Sequence, residues 1–240
     1  MEGREPSVLF ERTTTHGVCV ACQVPMGTPA DATRLHPDEL AHAARWPAAR
    51  ARSWLAGRTA LRLALAGAGL QVPGPILGTP RGAPEVPAHV AASVSHKAAR
   101  DAVVAVALVA PGATGPVGVD LEGLDPARPE LARGVLSPSE ALALEGAPAT
   151  DRWPALLARF CLKEAAFKAL DPLYPCDLDL REVSADPQPD GRATLTWPPR
   201  YPVSPRRLSA RWEVVGRWML ATARVLPGEG AAADGAEVAP

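Results

Sequence analysis

The sequence predicts a mixed α+β chain whose strands and helices fall into two similar halves. Three observations predict it. Valine-rich apolar runs such as "HVAASVSH" and "DAVVAVALV" have the length and composition of strands, and the short polar gap between them fits an antiparallel pair. Stretches rich in alanine and leucine with acidic starts and glycine ends read as helices. Along the chain these follow the order strands, helices, strands, and then strand, helices, strands.

The elements follow in order. The stretch up to about Pro29 reads as one or two short strands. From Asp38 to Leu70 helix dominates, with Asp38 and Glu39 early and Gly67 and Gly69 at the end. Pro47 lacks a backbone N–H and divides this region into two helices. Residues 71–87, "QVPGPILGTPRGAPEVP", are rich in proline and glycine and form a loop. The two valine-rich strands come next, "PGATGP" breaks the chain, and "VGVDLEG" opens the second half as another strand. Ser137 and Glu140 in "SPSE" have the spacing of a capping box and start a helix through "ALAL". A longer helix spans about Thr150 to Leu170. "LDLREVSA", "RATLTW" and "RLSARWEVVGRWMLATARV" read as strands. The acidic, small-residue tail after Pro227 lacks a hydrophobic face and is expected to be disordered.

With 240 residues, 47% of them apolar, the chain can bury a substantial core as one large or two small domains. A net charge of −1 excludes a broadly basic nucleic-acid surface, though not a local basic pocket. No apolar run approaches the roughly 20 residues of a membrane helix. "MEGREPSVLF" lacks the basic and then apolar regions of a signal peptide, so a cytoplasmic location is expected. Cys19 and Cys22 form a CxxC within "GVCVACQVP". That spacing serves redox chemistry or half a zinc site, but no second CxxC exists, and Cys161 and Cys176 lie far away. Ordinary buried cysteines in an alternating strand are the favoured reading.

The residues able to do chemistry form three groups. Asp120 and Glu122 in "GVDLEG" are two apart on a strand, so their carboxylates share a face. Such a pair is either the polar face of an edge strand or a hard oxygen donor pair suited to Mg²⁺. In "RFCLKEAAFKAL", Phe160, Lys163, Glu164, Phe167 and Lys168 fall on one side of a helix and the alanines on the other. The charges are either an exposed Glu164–Lys168 pair or a third carboxylate between two ammonium groups, walled by phenyl rings. In the first half, "SVSHKAAR" presents Ser95, His96, Lys97 and Arg100, with Arg58 and Arg62 on the preceding helix and Arg81 in the loop. Singly these are structural or solvated residues; together they offer the donors a phosphate-rich ligand needs.

At these residues the sequence resembles a known family. "GVDLE", followed by "FCLKEAAFK", is similar to the paired signature G-I/V-D-x-E and F/W-x-x-K-E-A/S-x-x-K of the 4′-phosphopantetheinyl transferases. "SVSH", the "AGR" helix and the "GTPRG…VP" loop resemble the long, monomeric class, within it the subgroup serving siderophore and nonribosomal-peptide synthases. The resemblance implies an α+β fold of two pseudo-symmetric lobes, each a small, mainly antiparallel sheet packed on helices. The active site would lie between them, in lobes of residues 1–112 and 113–226.

It also implies transfer of the phosphopantetheine arm of coenzyme A to a serine of an apo acyl or peptidyl carrier protein, with Mg²⁺ (or Mn²⁺) as cofactor. Asp120, Glu122 and Glu164 match metal-ligand carboxylates, and Lys163 and Lys168 match lysines near the diphosphate. Ser95 and His96 match the pair meeting the adenosine 3′-phosphate; Arg58, Arg81 and, more loosely, Arg50 match basic residues at that end. Glu164 matches the base. Phe160 and Glu85 stand where tryptophan is frequent. Two other readings are a non-catalytic carrier-protein or nucleotide-binding module on the same fold, and a zinc or redox protein centred on Cys19 and Cys22.

Overall fold

A computed structural model describes residues 6–26, 33–99, 101–175, 177, 179–199, 201 and 207–226. The expected tail disorder after Pro227, together with Arg100 and Cys176, lies outside the described residues. Two strands open the chain, β1 (Ser7–Thr14) and β2 (Gly17–Pro25), followed by helices α1 (Pro37–Ala43) and α2 (Ala48–Gly67). Strands β3 (Val90–Ala98) and β4 (Ala102–Pro111) complete a four-stranded antiparallel sheet of order β1-β2-β4-β3.

After Pro111 the chain crosses to a second sheet. It begins with β5 (Val117–Gly123), continues through helices α3 (Ala132–Val135), α4 (Pro138–Glu145) and α5 (Ala149–Leu170), and ends with β6 (Ser184–Pro187), β7 (Arg192–Thr196), β8 (Leu208–Val215) and β9 (Trp218–Val225). The order is β5-β9-β8-β7-β6, again antiparallel. Each sheet packs one face on a long helix, α2 or α5. A third apolar layer, with Val104, Val106 and Leu108 of β4 against Val117, Val119 and Leu121 of β5, joins the two sheets. β4 is therefore covered on both faces, which is why its run is apolar throughout rather than alternating.

Local signals act as the sequence predicts. Pro47 caps the start of α2, and Ser137 with Glu140 forms the capping box of α4. His36 and Glu39 form another at α1. "LDLREVSA" is not one strand: a 3-10 turn, Leu180–Glu182, precedes the short β6. Glycine sets the approach of each long helix to its sheet. A Cβ on Gly118 of β5 would overlap the Ala165 carbonyl of α5, and one on Gly57 of α2 would come within 2.9 Å of Val94 on β3. Alanines at 165, 166 and 169 are the small residues that let α5 lie this close.

Cys19 and Cys22 are both fully buried, Cys19 in the layer between the sheets and Cys22 in the core under α2. A spacing of three on a strand points them to opposite faces. Burial pushes both thiols up to about 12, so they are packing residues, not a dithiol pair.

Candidate active site

The two lobes meet along a seam where β3 runs beside the open edge of β5. Alternation on β3 turns Ser93, Ser95 and Lys97 toward this seam and Val94 and His96 toward α2. The Val119 N–H donates to Ser93 Oγ at 3.1 Å, and the Val119 carbonyl accepts from Lys168 Nζ at 3.0 Å. An edge strand that would otherwise present bare backbone is thus covered by side chains from the opposite lobe and from α5.

Period-two geometry holds on β5: Asp120 and Glu122 share the face toward α5, and both are 4% exposed. Asp120 Oδ1 accepts from Ser95 Oγ at 2.7 Å and from Lys168 Nζ at 2.8 Å. Among the described residues its Oδ2 is buried with no oxygen or nitrogen partner, and only the buried Cys161 thiol stands beside the carboxylate. Glu122 is held on both oxygens, Oε1 by Lys97 Nζ and Oε2 by Arg128 Nη2, the latter at 2.6 Å. Glu164 faces the same group from α5, and no described residue hydrogen-bonds its carboxylate. Its pKa is raised, first by burial and then by the Asp120 and Glu122 charges, against the lowering effect of Lys168 and Lys97.

A buried carboxylate oxygen without a partner is a destabilising arrangement, and a hard cation would relieve it. The donor set therefore fits Mg²⁺ chemically. The carboxylates have not closed on a common point: among the described residues no three acidic, His or Cys side chains are grouped as a metal site.

The remaining expected residues divide. Lys168 joins the seam, but Lys163 does not. It is 0% exposed on the other flank of α5, where Nζ donates to the Val135 carbonyl (2.7 Å), Glu140 Oε2 (2.6 Å) and the Leu180 carbonyl (3.1 Å). All three ammonium donors are engaged, so Lys163 has none for a diphosphate. Five residues on a helix turn about 140°, enough to send Lys163 and Lys168 to different neighbours. Phe160 likewise packs between the α5 core and the α3–α4 cluster and is not a wall of the seam.

The side chains of Ser95 and His96 are not brought together, because adjacent strand residues face opposite ways. His96 lies over Gly57 of α2, 3.5 Å from the position a Cβ would take there. Its pKa is lowered by partial desolvation of the ring, by the Lys168 ammonium and by the Arg58 guanidinium. The Lys168 and Arg58 charges, second to burial in lowering it, make this spot electropositive.

Arg58 is buried. Its Nε donates to the Ile76 carbonyl (2.7 Å) and its Nη2 to the Leu77 carbonyl (2.9 Å), with the guanidinium over the Trp54 ring. Burial holds its pKa down to about 10. Arg62 holds the carbonyls of Val72 and Gly74 and pairs with buried Glu39. The "AGR" helix thus fastens the proline-rich loop, with Arg58 as an anchor rather than a free phosphate donor. Arg81 in that loop pairs with Asp171 (2.6 Å) and Asp177 (3.4 Å), tying it to the end of α5. Arg50 is exposed at the start of α2, stacked over Trp46.

No sequence pattern marks Arg128. It sits in "LDPARPE", a loop with no periodicity, and only its nearness in sequence to Glu122 signals it.

A two-lobed α+β chain with an acidic and lysine-lined seam between its sheets is the class of protein defined so far. Residues 116–223 match the family model of the 4′-phosphopantetheinyl transferase superfamily. Residues 36–110 match that of the 4′-phosphopantetheinyl transferase N-terminal domain. The chain is 37% identical over 160 residues to the 4′-phosphopantetheinyl transferase Svp of Streptomyces mobaraensis, covering 65% of this chain and 62% of that protein. The chain thus spans less than two thirds of the length of this curated relative. Among solved structures, the holo-[acyl-carrier-protein] synthase of Thermotoga maritima aligns at 22% identity and TM-score 0.37, over 46% of this chain and 61% of that one. A coenzyme A complex of the synthase from Chronobacterium ammoniagenes aligns at 23% and TM-score 0.37, over 45% and 93%. The chain belongs to the 4′-phosphopantetheinyl transferase superfamily. With the N-terminal-domain match and the superfamily match side by side on one chain, it fits the long class.

Proposed function

We propose that this protein transfers the 4′-phosphopantetheine arm of coenzyme A to a serine of an apo acyl or peptidyl carrier protein, releasing adenosine 3′,5′-bisphosphate. The observation that carries the reading is the buried, unpartnered Oδ2 of Asp120 beside Glu122, Glu164 and Lys168 in the seam between the lobes. Family membership supports it, and the relative Svp bears the name of that activity.

Asp120, Glu122 and Glu164 are the residues that would hold Mg²⁺, with Mn²⁺ as the alternative ion. When bound, the cation polarises the β-phosphoryl group and offsets charge on the diphosphate. Lys168, fixed on Asp120 and the Val119 carbonyl, presents its ammonium to charge developing on the phosphoryl oxygens. The electropositive spot at His96 suits the 3′-phosphate, and the loop fastened by Arg58 and carrying Arg81 forms the nucleotide-side wall. The carrier serine oxygen attacks the β-phosphorus as the bond to the leaving bisphosphate breaks. Glu164 takes the serine proton, directly or through an intervening water. Its raised pKa brings it closer to that of a base working at neutral pH. Service to siderophore, nonribosomal-peptide or polyketide synthases in secondary metabolism, a cytoplasmic location and a monomeric state belong to the same proposal.

The test is to incubate the protein with coenzyme A, Mg²⁺ and a panel of apo carrier proteins and measure the intact mass of each carrier. A gain equal to one phosphopantetheine, lost on serine-to-alanine substitution of the carrier, is expected. No gain across the panel overturns the reading in favour of a non-catalytic binding module.

A further inference from the structure

Glu122 is the one carboxylate of the seam with both oxygens occupied by cations, and those cations come from different places. Lys97 reaches Oε1 from β3 in the first lobe, and Arg128 reaches Oε2 from the loop after β5. Both side chains are about one-third exposed, whereas the Glu122 side chain is 5% exposed. Asp120 differs: Lys168 and Ser95 share one oxygen and leave the other bare. Glu164 has no hydrogen-bonding partner among the described residues.

A divalent ion cannot bind Glu122 while an ammonium and a guanidinium hold its two oxygens, because the like charges would stand within a few ångströms in a partly dry seam. Binding requires the two side chains to leave. Both are long and have solvent on one side, so they can leave without unfolding anything. An anionic ligand with several phosphate oxygens provides the destination, because guanidinium and ammonium groups bind phosphate as readily as carboxylate.

Resting on the transferase reading above, we propose that Lys97 and Arg128 form an electrostatic latch. They hold the metal site shut in the free protein and release it when the diphosphate of coenzyme A draws them away. Metal and coenzyme A are thereby coupled, each tightening the other by the same factor. The latch spans the lobes, so its release also frees the Lys97 tie across the seam at the moment the substrate arrives.

The experiment titrates Mn²⁺ into the full chain, read by electron paramagnetic resonance of the free ion, with and without saturating coenzyme A. The parent protein is expected to bind Mn²⁺ at least about tenfold more tightly with coenzyme A, the scale set by one charge-assisted hydrogen bond. Lys97→Gln/Arg128→Gln is expected to bind Mn²⁺ alone about tenfold more tightly than the parent and to lose most of the coupling. Arg128→Gln alone should give part of that shift, and it provides a second variant should the double one fold poorly. If the variants bind Mn²⁺ alone no more tightly than the parent, the latch is overturned. Parent binding that is tight and indifferent to coenzyme A also overturns the latch while leaving the metal reading standing. Absence of Mn²⁺ binding under both conditions overturns the metal reading itself. An Asp120→Asn control, expected to abolish binding, ties the signal to this seam.

Discussion

Lys168 Nζ lies 2.8 Å from Asp120 Oδ1 and 3.0 Å from the Val119 carbonyl oxygen, so one ammonium group fastens the end of α5 to the open edge of β5. The same contact neutralises half of a carboxylate whose other oxygen is bare. Lys168→Ala is expected to lower kcat/KM for phosphopantetheine transfer by about two to three orders of magnitude, the scale for losing one preorganised electrostatic partner. The melting temperature should fall by several degrees as well, since a partly buried ion pair is broken. Steady-state kinetics with thermal melts check both; unchanged kcat/KM would remove Lys168 from the phosphate-facing role.

Glu164 should behave in the opposite sense for stability. Burial and the Asp120 and Glu122 charges disfavour its ionised form in the folded protein. Glu164→Gln is expected to cost about 10²–10⁴ in turnover if the carboxylate is the base. Its stability to urea should equal or exceed that of the parent. A variant equally active, or one that loses activity only because it unfolds, contradicts this role.

Lys163 and Glu140 form a buried pair that ties α5 to α4 and, through the Ala185 N–H, to β6. Removing one member leaves an uncompensated charge. Lys163→Ala is expected to destabilise the fold by about 3–5 kcal/mol in denaturant titration. Coenzyme A affinity should change less than about twofold in any variant that stays folded, because the side chain never reaches the seam. A large loss of coenzyme A affinity with stability intact would return Lys163 to the diphosphate.

His16, at the β1–β2 turn, joins the lobes on the side away from the seam carboxylates. It is 2% exposed, its Nδ1 2.9 Å from Thr222 Oγ1 and its Nε2 2.9 Å from Ser209 Oγ. Burial, followed by the Arg224 and Arg211 charges, lowers its pKa from 6.5 to about 4. The unfolded chain then binds more protons than the folded one between these values, so stability rises with pH across that window. The His16 contribution is fully present above about pH 6.5 and lost as pH falls toward 4, by about 3 kcal/mol in all. Melting temperatures from pH 4 to 7 should show this slope in the parent and a flatter one in His16→Gln. Equal slopes would place the acid sensitivity elsewhere.

Much of this architecture is legible in the chain because its signals are local. Pro47 stands between the end of α1 at Ala43 and the start of α2 at Ala48, where a continuous helix would need its missing N–H, and Ser137 with Glu140 caps α4 through atoms within one turn. The shared face of Asp120 and Glu122 follows from strand period alone. The direction of a long side chain is another matter. Lys163 and Lys168 have the same chemistry on the same helix, and the α3–α4 segment claims one while the edge of β5 claims the other. Arg58 and Arg62 look like free cations until the proline-rich loop lays its carbonyls against them.

By itself the sequence determined the order and kind of nearly every element, the break between the halves, and the acidic pair and helix that mark the family. Tertiary structure decided which charges are partners and which remain available. That decision depends on groups far apart in sequence, such as Ser95 with Asp120, Lys97 with Glu122 and Arg81 with Asp171. A buried charge must find a counter-charge or a hydrogen-bond partner wherever the fold brings one, and no local pattern records where that is.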